Sequence, residues 1–118
     1  VVTIMANPLG KIGEDLAVKY LEKKGYCIVE RNYRTPYGEV DIICSDRGEL
    51  VFVEVKTRRC TSYGSPEEAV TRRKKEHIKK TALCYLAGLN RPCRNIRFDV
   101  IAILIESSPA INHIQNAF

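Results

Sequence analysis

The chain has 118 residues and a mass of 13.4 kDa, with a formal net charge of +5, 45% hydrophobic residues and 28% charged residues. These values are typical of a single soluble domain spanning residues 1–118, and they exclude extensive disorder. No apolar segment approaches the roughly 18 residues of a transmembrane helix, and the N-terminus lacks the basic flank of a signal peptide, so we expect a cytoplasmic protein whose positive charge favours an anionic partner.

A first helix is predicted from Ile12 to Lys24, after a flexible N-terminus at residues 1–9. Its apolar stripe contains Ala17, Val18, Tyr20 and Leu21. Glu14 lies three, four and seven residues before three members of this stripe, so its carboxylate is expected on the core side of the helix. A carboxylate in the first turn also complements the helix dipole, which explains the same position without a functional role.

Three strands follow, at residues 26–34, 39–44 and 50–57. A loop that contains Gly38 separates the first two, and a tight turn at residues 46–49 separates the second from the third. These short connections predict an antiparallel β-meander. The third strand is the most apolar of the three.

A second helix is predicted to begin at Ser65 and to end near Leu86. Ser65 offers an N-cap, Pro66 occupies the first helical position and Glu68 completes a capping box. We assign no nucleophilic role to Ser65, because its position at a helix start already explains it.

A fourth strand is predicted at residues 97–105, and residues 110–118 are able to add a short edge strand. The order of the elements is therefore α, β, β, β, α, β. Helices on both sides of a meander predict an α/β fold in which they flank a mixed sheet.

The turn at residues 46–49 sets the pairing of the second and third strands. If the hairpin closes symmetrically there, Asp41 lies opposite Glu54 and Glu39 lies opposite Lys56, and the two-residue period of a strand puts all four side chains on one face. Directly opposed carboxylates repel each other. Such a pair either keeps one carboxyl protonated or holds a cation.

A divalent cation fits this face, because Mg²⁺ prefers oxygen ligands and commonly uses one or two carboxylates. Lys56 would then steady an attacking water or the charge that grows on phosphorus, so the pattern predicts a metal-dependent phosphodiester site. A solvated sheet face with cross-strand charge pairs is the alternative. The apolar character of the strand around Glu54, the direction of Glu14 and a dense cationic run farther along the chain all oppose that alternative.

The spacing of Asp41 and Glu54-Val55-Lys56 resembles the core motif of the PD-(D/E)xK nuclease superfamily, with Val40 in place of the proline. Motifs between about Gly10 and Phe118 are also similar to those of the YraN family of small bacterial proteins. The matching segments are Gly13–Ala17, Arg31–Arg34, Gly38–Ile43, Val51–Arg58, Tyr63–Pro66 and Arg97–Val100.

This resemblance implies a restriction-endonuclease-like αβββαβ fold related to that of Holliday-junction resolvases. In those enzymes a glutamate on a helix, an aspartate on a strand and a Glu-x-Lys pair bind metal and cleave DNA. The matching catalytic residues here are Glu14, Asp41, Glu54 and Lys56. We expect Asp41, Glu54 and Glu14 to bind Mg²⁺ or Mn²⁺. Lys56 would position the nucleophile, and Glu39 would orient Lys56 or a metal-bound water.

Cationic residues cluster on the second predicted helix and just before it. They are Arg58, Arg59, Arg72, Arg73, Lys74, Lys75, Lys79 and Lys80. Such residues bind nucleic-acid phosphates without sequence preference through the release of counterions, so we predict that they contact DNA. A solvated helix face is the alternative. His77 and His113 have no metal-ligand partner at helical spacing and are predicted to be structural.

The sequence therefore predicts a nuclease-like protein that uses Mg²⁺ or Mn²⁺ to hydrolyse DNA, with branched or structured DNA as one candidate substrate. A nucleic-acid-binding module that keeps the fold but does not cut is the first alternative. A protein-interaction adaptor with an acidic face is the second. Paired scissions at a DNA junction would require a two-fold homodimer.

Overall fold

The computed structural model describes residues 8–59, 70–93, 95–106 and 108–118. The elements are α1 (Pro8–Lys23), β1 (Cys27–Thr35), β2 (Gly38–Asp46), β3 (Glu49–Arg58), α2 (Arg72–Ala87), β4 (Ile96–Leu104) and β5 (Ala110–Ile114). The predicted α/β class and the αβββαβ order are confirmed, and β5 supplies the short edge strand. No helix in the described ranges is long and apolar enough to cross a membrane.

The five strands form one mixed sheet in the order β1-β2-β3-β4-β5. β3 and β4 are parallel, and the other neighbouring pairs are antiparallel. The parallel pair is central, and α2 provides part of the long connection that such a pair requires. β3 is buried through its middle, which agrees with its apolar sequence.

Each face of the sheet has its own hydrophobic core. Ala17 and Leu21 of α1 pack with Val51 and Val53 of β3 on one face. On the other face α2 supplies Ile78 and Ala82, which belong to the same core as Phe52, Ile43 and Val40. The two helices therefore cover opposite faces of the sheet, and the apolar alternation along β3 determines which side chains each helix meets.

Gly13 determines how closely α1 approaches β3. It is buried, and a Cβ atom at this position would overlap the side chain of Thr57. Because only glycine allows this approach, the next residue of the helix, Glu14, is brought close to the end of β3. The packing thus fixes the position of a predicted site residue.

The predicted start of the first helix needs correction. α1 begins at Pro8, four residues before the predicted start at Ile12, so Pro8 and Leu9 are helical instead of belonging to a flexible N-terminus. A proline is well suited to a first helical position because its missing N–H group has no partner there. Residues 1–7 lie outside the described residues.

The prediction that the second helix runs unbroken from Ser65 is wrong at residues 70 and 71. Val70 is a bend and Thr71 has an extended backbone, so the helix begins at Arg72. Thr71 is the N-cap, and its Oγ1 accepts a hydrogen bond from the backbone N of Lys74 at 3.2 Å. Ser65, Pro66 and Glu68 lie outside the described residues.

A buried ion pair holds β4 at the other end of the sheet. Asp99 is fully buried, and it accepts hydrogen bonds from Arg97 Nε at 2.9 Å and Arg97 Nη2 at 3.0 Å. His113 Nε2 lies 2.7 Å from the same carboxylate, and Tyr20 Oη lies 3.1 Å from His113 Nδ1. This network ties β4 to β5 and α1, which gives His113 the structural role predicted for it.

Candidate metal and nucleic-acid site

All five predicted catalytic residues line one cavity of about 480 Å³. They are Glu14, Glu39, Asp41, Glu54 and Lys56. The cavity lies where β2 and β3 approach the first half of α1 and the first turn of α2. Lys74 also lines it, although the sequence predicted for this residue only a contact with DNA.

Three of the carboxylates converge. Glu14, Glu39 and Asp41 each offer one oxygen, and these oxygens all lie within 4.8 Å of one another. A set of oxygen ligands on three partly buried side chains fits a hard divalent cation such as Mg²⁺ or Mn²⁺. The group includes Glu39, for which the sequence predicted an orienting role, and it does not include Glu54, which was predicted to be a ligand.

Burial and neighbouring negative charges both disfavour the ionised forms of Asp41 and Glu14. Burial, followed by the charge of Glu54, raises the pKa of Asp41 to about 7, although the hydrogen bond from Val55 N acts in the opposite direction. Burial also raises the pKa of Glu14, against the opposing effects of a hydrogen bond from Asn32 and the charge of Arg31. A bound cation would remove this electrostatic cost, because it stabilises the ionised form of each carboxyl.

The predicted hairpin register is correct near the turn and wrong at the site. The backbone pairs run from Asp46 with Glu49 to Ile42 with Val53, as predicted, but no pair of Asp41 with Glu54 continues the described ladder. Instead Asp41 Oδ2 accepts a hydrogen bond from the backbone N of Val55 at 2.8 Å. A side chain thus replaces the main chain as the acceptor, and the four predicted residues do not form one regular sheet face.

Glu54 is held by two lysines. Only 5% of its side chain is exposed, and its Oε1 lies 2.6 Å from Lys74 Nζ and 3.4 Å from Lys56 Nζ. Burial lowers the pKa of Lys56, and the neighbouring Lys74 lowers it further. Burial alone would also lower the pKa of Lys74, but its hydrogen bond with Glu54 and the charge of Glu54 outweigh burial and raise it.

β1 contributes three polar residues to the site that sequence reasoning missed. Arg31 Nη2 lies 3.8 Å from Glu14 Oε1, and Arg34 Nε donates a hydrogen bond to Glu39 Oε2 at 3.1 Å. Asn32 has a φ of 53°, in the left-handed region that asparagine tolerates well, and its side chain hydrogen-bonds Glu14. Arg31–Arg34 was a motif in the sequence, but nothing in its spacing indicated that it would face the acidic residues.

The other predicted DNA contacts do not form one uniform cationic face. The ammonium of Lys75 lies over the ring of Phe118, and that of Lys80 lies over the ring of Tyr37. Arg72 pairs with Glu76 at 3.6 Å, and Lys79 lines a small apolar cavity beside Leu83. Arg59 and Arg73 are exposed, and Arg58 is partly buried at the end of β3. Around α2 the cations therefore point in several directions, and Lys74 alone of the eight lines the described cavity.

Comparison with known proteins gives consistent relatives over nearly the whole chain. A family model described as "Uncharacterised protein family UPF0102" matches residues 13–103. A UPF0102 protein of Syntrophomonas wolfei is 55% identical over 115 residues, which is 97% of this chain and 100% of that protein. A UPF0102 protein of Geobacter sulfurreducens is 54% identical to this chain, and the match spans 93% of this chain and 88% of that protein. A UPF0102 protein of Trichlorobacter lovleyi is 50% identical, and the match spans 93% of this chain and 89% of that protein.

Proposed function

The chain belongs to the uncharacterised protein family UPF0102, which is the YraN family whose motifs it carries, and we propose that it is a metal-dependent nuclease. The proposed reaction is hydrolysis of a DNA phosphodiester bond, with branched or structured DNA as the candidate substrate. The proposed setting is the cytoplasm. Because the family name assigns no activity, the proposal rests on the chemistry of the cavity.

One observation carries the proposal. Oxygens of Glu14, Glu39 and Asp41 lie within 4.8 Å of one another, in the cavity that also contains Lys56. Carboxylates this close repel one another when no positive charge lies between them. Burial and the charge of Glu54, with smaller contributions from Glu14 and Glu39, raise the pKa of Asp41. A stable fold that keeps such a group is best explained by a cation that occupies it during function.

Each residue then has a separate role. Glu14, Glu39 and Asp41 would bind Mg²⁺ or Mn²⁺, and the ion would supply a Lewis acid and an activated water. The hydrogen bond from Val55 N fixes the orientation of Asp41, and Arg34 fixes that of Glu39. Lys56 would donate a hydrogen bond to the attacking water or to a phosphate oxygen, while Glu54 orients the Lys56 ammonium.

The hydrolysis itself needs no redox cofactor. The oxygen of a water molecule bonds to phosphorus, the bond from phosphorus to the leaving ester oxygen breaks, and a proton from water ends on the leaving oxygen. The role of the chain is to hold the phosphate in line with the water and to neutralise charge in the transition state. Exposed cations near α2, including Arg73, would bind flanking phosphates.

One observation favours a second candidate, a nucleic-acid-binding module that does not cut. Glu54 lies outside the group of three carboxylates and is neutralised by Lys74 and Lys56. An internal ion pair of this kind is also what a site would retain if it had lost its metal. The difference between the two candidates is cleavage, since both predict binding to DNA.

A cleavage panel separates the two candidates. Single-stranded, duplex, flapped and four-way DNA are incubated with the wild type, Lys56→Ala and Lys19→Ala, each with Mg²⁺, with Mn²⁺ or with a chelator. Lys19 is an exposed lysine of α1 and serves as the charge-matched control. The proposal predicts metal-dependent products from the wild type and Lys19→Ala, and a loss of roughly 100-fold or more in Lys56→Ala. Clear DNA binding with intact substrates throughout would favour the module that does not cut.

A further inference from the structure

Glu54 does not belong to the group of converging carboxylates, and it forms a close ion pair with Lys74 instead. Glu14, Glu39 and Asp41 converge, whereas Glu54 is turned to Lys74, with 2.6 Å between Oε1 and Nζ. Glu54 nevertheless lines the same cavity as the group, and its charge contributes to the raised pKa of Asp41. The ion pair with Lys74 thus accounts for the position of Glu54 outside the group.

Lys74 reaches Glu54 from the first turn of α2. Its backbone N donates a hydrogen bond to the N-cap Thr71, so the main chain at this point is anchored. Its side chain is 40% exposed, whereas that of Glu54 is 5% exposed. The lysine therefore extends from the cavity opening to a buried carboxylate, and only its flexible side chain has to move for the contact to break.

We infer that Lys74 is an internal counter-ion that occupies Glu54 in the metal-free protein and is exchanged for a divalent ion. This inference deepens the proposed function and rests on it. When the ion binds, Glu54 leaves Lys74 and joins Glu14, Glu39 and Asp41 as a ligand. The released ammonium of Lys74 remains at the cavity opening, where it binds a phosphate oxygen of DNA.

Two consequences follow from the exchange. A buried carboxylate is never left without a positive partner, because Lys74 neutralises it before the metal arrives and the metal does so afterwards. Metal and DNA also become coupled, since the metal frees the lysine that binds phosphate and phosphate stabilises the lysine in its released position. Such coupling is reciprocal and typically changes each affinity by about 5-fold or more.

Titration calorimetry with Mn²⁺ tests the inference without requiring catalysis. Lys74→Met removes the competing ammonium, and we expect Mn²⁺ to bind at least about 5-fold more tightly than to the wild type. Lys11→Met is the matched control, because Lys11 lines the same cavity and is not paired with Glu54. An equal gain in Lys11→Met would overturn the inference, since it would show a general effect of removing positive charge.

A double-mutant cycle tests whether Lys74 acts through Glu54. In a Glu54→Gln background the gain from Lys74→Met is expected to disappear, and a gain that persists would overturn the inference. Thermal melts check that the variants fold, and Lys74→Gln, which retains a hydrogen-bond donor for Glu54, replaces Lys74→Met if that variant does not. Mn²⁺ binding by Lys74→Met but not by the wild type would support the exchange.

The outcome is separable from that of the proposed function. If the wild type binds Mn²⁺ and Lys74→Met gains nothing, the exchange is wrong and the nuclease proposal stands. If neither protein binds Mn²⁺, both ideas fail. If Lys74→Met binds Mn²⁺ more tightly than the wild type and no DNA is cleaved, the exchange stands and the enzyme proposal fails.

Discussion

Asp41 accepts a hydrogen bond from the backbone N of Val55 at 2.8 Å, so an acidic side chain takes the place of the main chain where the β2–β3 ladder ends. This contact makes Asp41 both a structural element and a member of the acidic group. It also holds a carboxylate with a pKa of about 7 in a fixed orientation. The structural and chemical roles of Asp41 can be separated by experiment.

The first prediction concerns the pH dependence of stability. The folded-state pKa of Asp41 is raised from 3.8 to about 7, so between these values the native state binds more protons than the unfolded state. The free energy of unfolding should therefore fall as pH rises through this window. Asp41→Asn keeps an acceptor for Val55 N and lacks this titration, so we expect its stability relative to the wild type to increase from pH 5 to pH 8.

Urea denaturation at a series of pH values measures this effect. The buffers contain a chelator, and a parallel series contains saturating Mg²⁺. Because a bound cation stabilises ionised Asp41, Mg²⁺ should restore the stability of the wild type at pH 8 and have little effect on Asp41→Asn. Parallel pH profiles for the two proteins without metal would contradict the burial and repulsion that we assign to Asp41.

The second prediction concerns the close approach of α1 and β3. Gly13→Ala would force a Cβ into the side chain of Thr57, and overpacking of this kind costs about 1–3 kcal/mol. The displaced helix should also move Glu14 away from Asp41 and weaken metal binding. Gly88→Ala is the control, since the nearest atom to its new Cβ is Tyr85 O at 3.5 Å, an ordinary contact. Equal stability of the two variants would show that the helix adjusts without cost.

The third prediction concerns the buried network at the other end of the sheet. Asp99→Asn leaves Arg97 without its bidentate carboxylate, although Asp46 and Glu49 remain partners of Arg97. Breaking a buried ion pair by removing one partner costs about 3–5 kcal/mol, and we expect a value near the lower end. Chemical denaturation measures the loss, with Asp15→Asn as the control because Asp15 forms an exposed pair with Arg31. Little change in Asp99→Asn would mean that the network is dispensable.

The fourth prediction concerns the exposed cations of α2. Replacing both Arg73 and Lys79 by alanine should weaken DNA binding similarly for different DNA sequences, because phosphate contacts carry no sequence information. The slope of log K against log salt concentration should become less steep by up to about 1.8, or about 0.9 for each lost contact with duplex DNA. Fluorescence anisotropy at several salt concentrations gives the slope. The paired control replaces Lys19 and Lys23 of α1 by alanine. An equal change in the salt dependence of this control would contradict a specific contact between DNA and the cations of α2.

The hairpin shows what the sequence could predict and where it failed. Arg47 and Gly48 have φ values of 50° and 86°, and a tight turn of this kind fixes the register of the pairs next to it. That register was predicted correctly from the turn alone. The predicted pairing failed at Asp41, where Val55 N donates to a side chain instead of the backbone. The choice between these two acceptors depends on local packing, which the alternation of side chains along a strand does not reveal.

The cationic run shows a second limit. The sequence identified every lysine and arginine of α2, but it could not say which one faces the site, because this depends on where the helix begins. Ser65 and Thr71 are both chemically suitable N-caps, and the structure places the cap at Thr71. With the helix start fixed, Lys74 reaches Glu54 whereas Lys75 reaches Phe118.

The central claim is that Glu14, Glu39 and Asp41 hold a divalent ion, and Mn²⁺ binding followed by electron paramagnetic resonance tests it most directly. We predict saturable binding to the wild type and to Asp15→Asn, a control that removes the same charge from an exposed neighbour of Glu14. Asp41→Asn should bind at least about tenfold more weakly, since even residues that only orient metal ligands contribute that much. No saturable binding, or equal binding by all three proteins, would contradict the account.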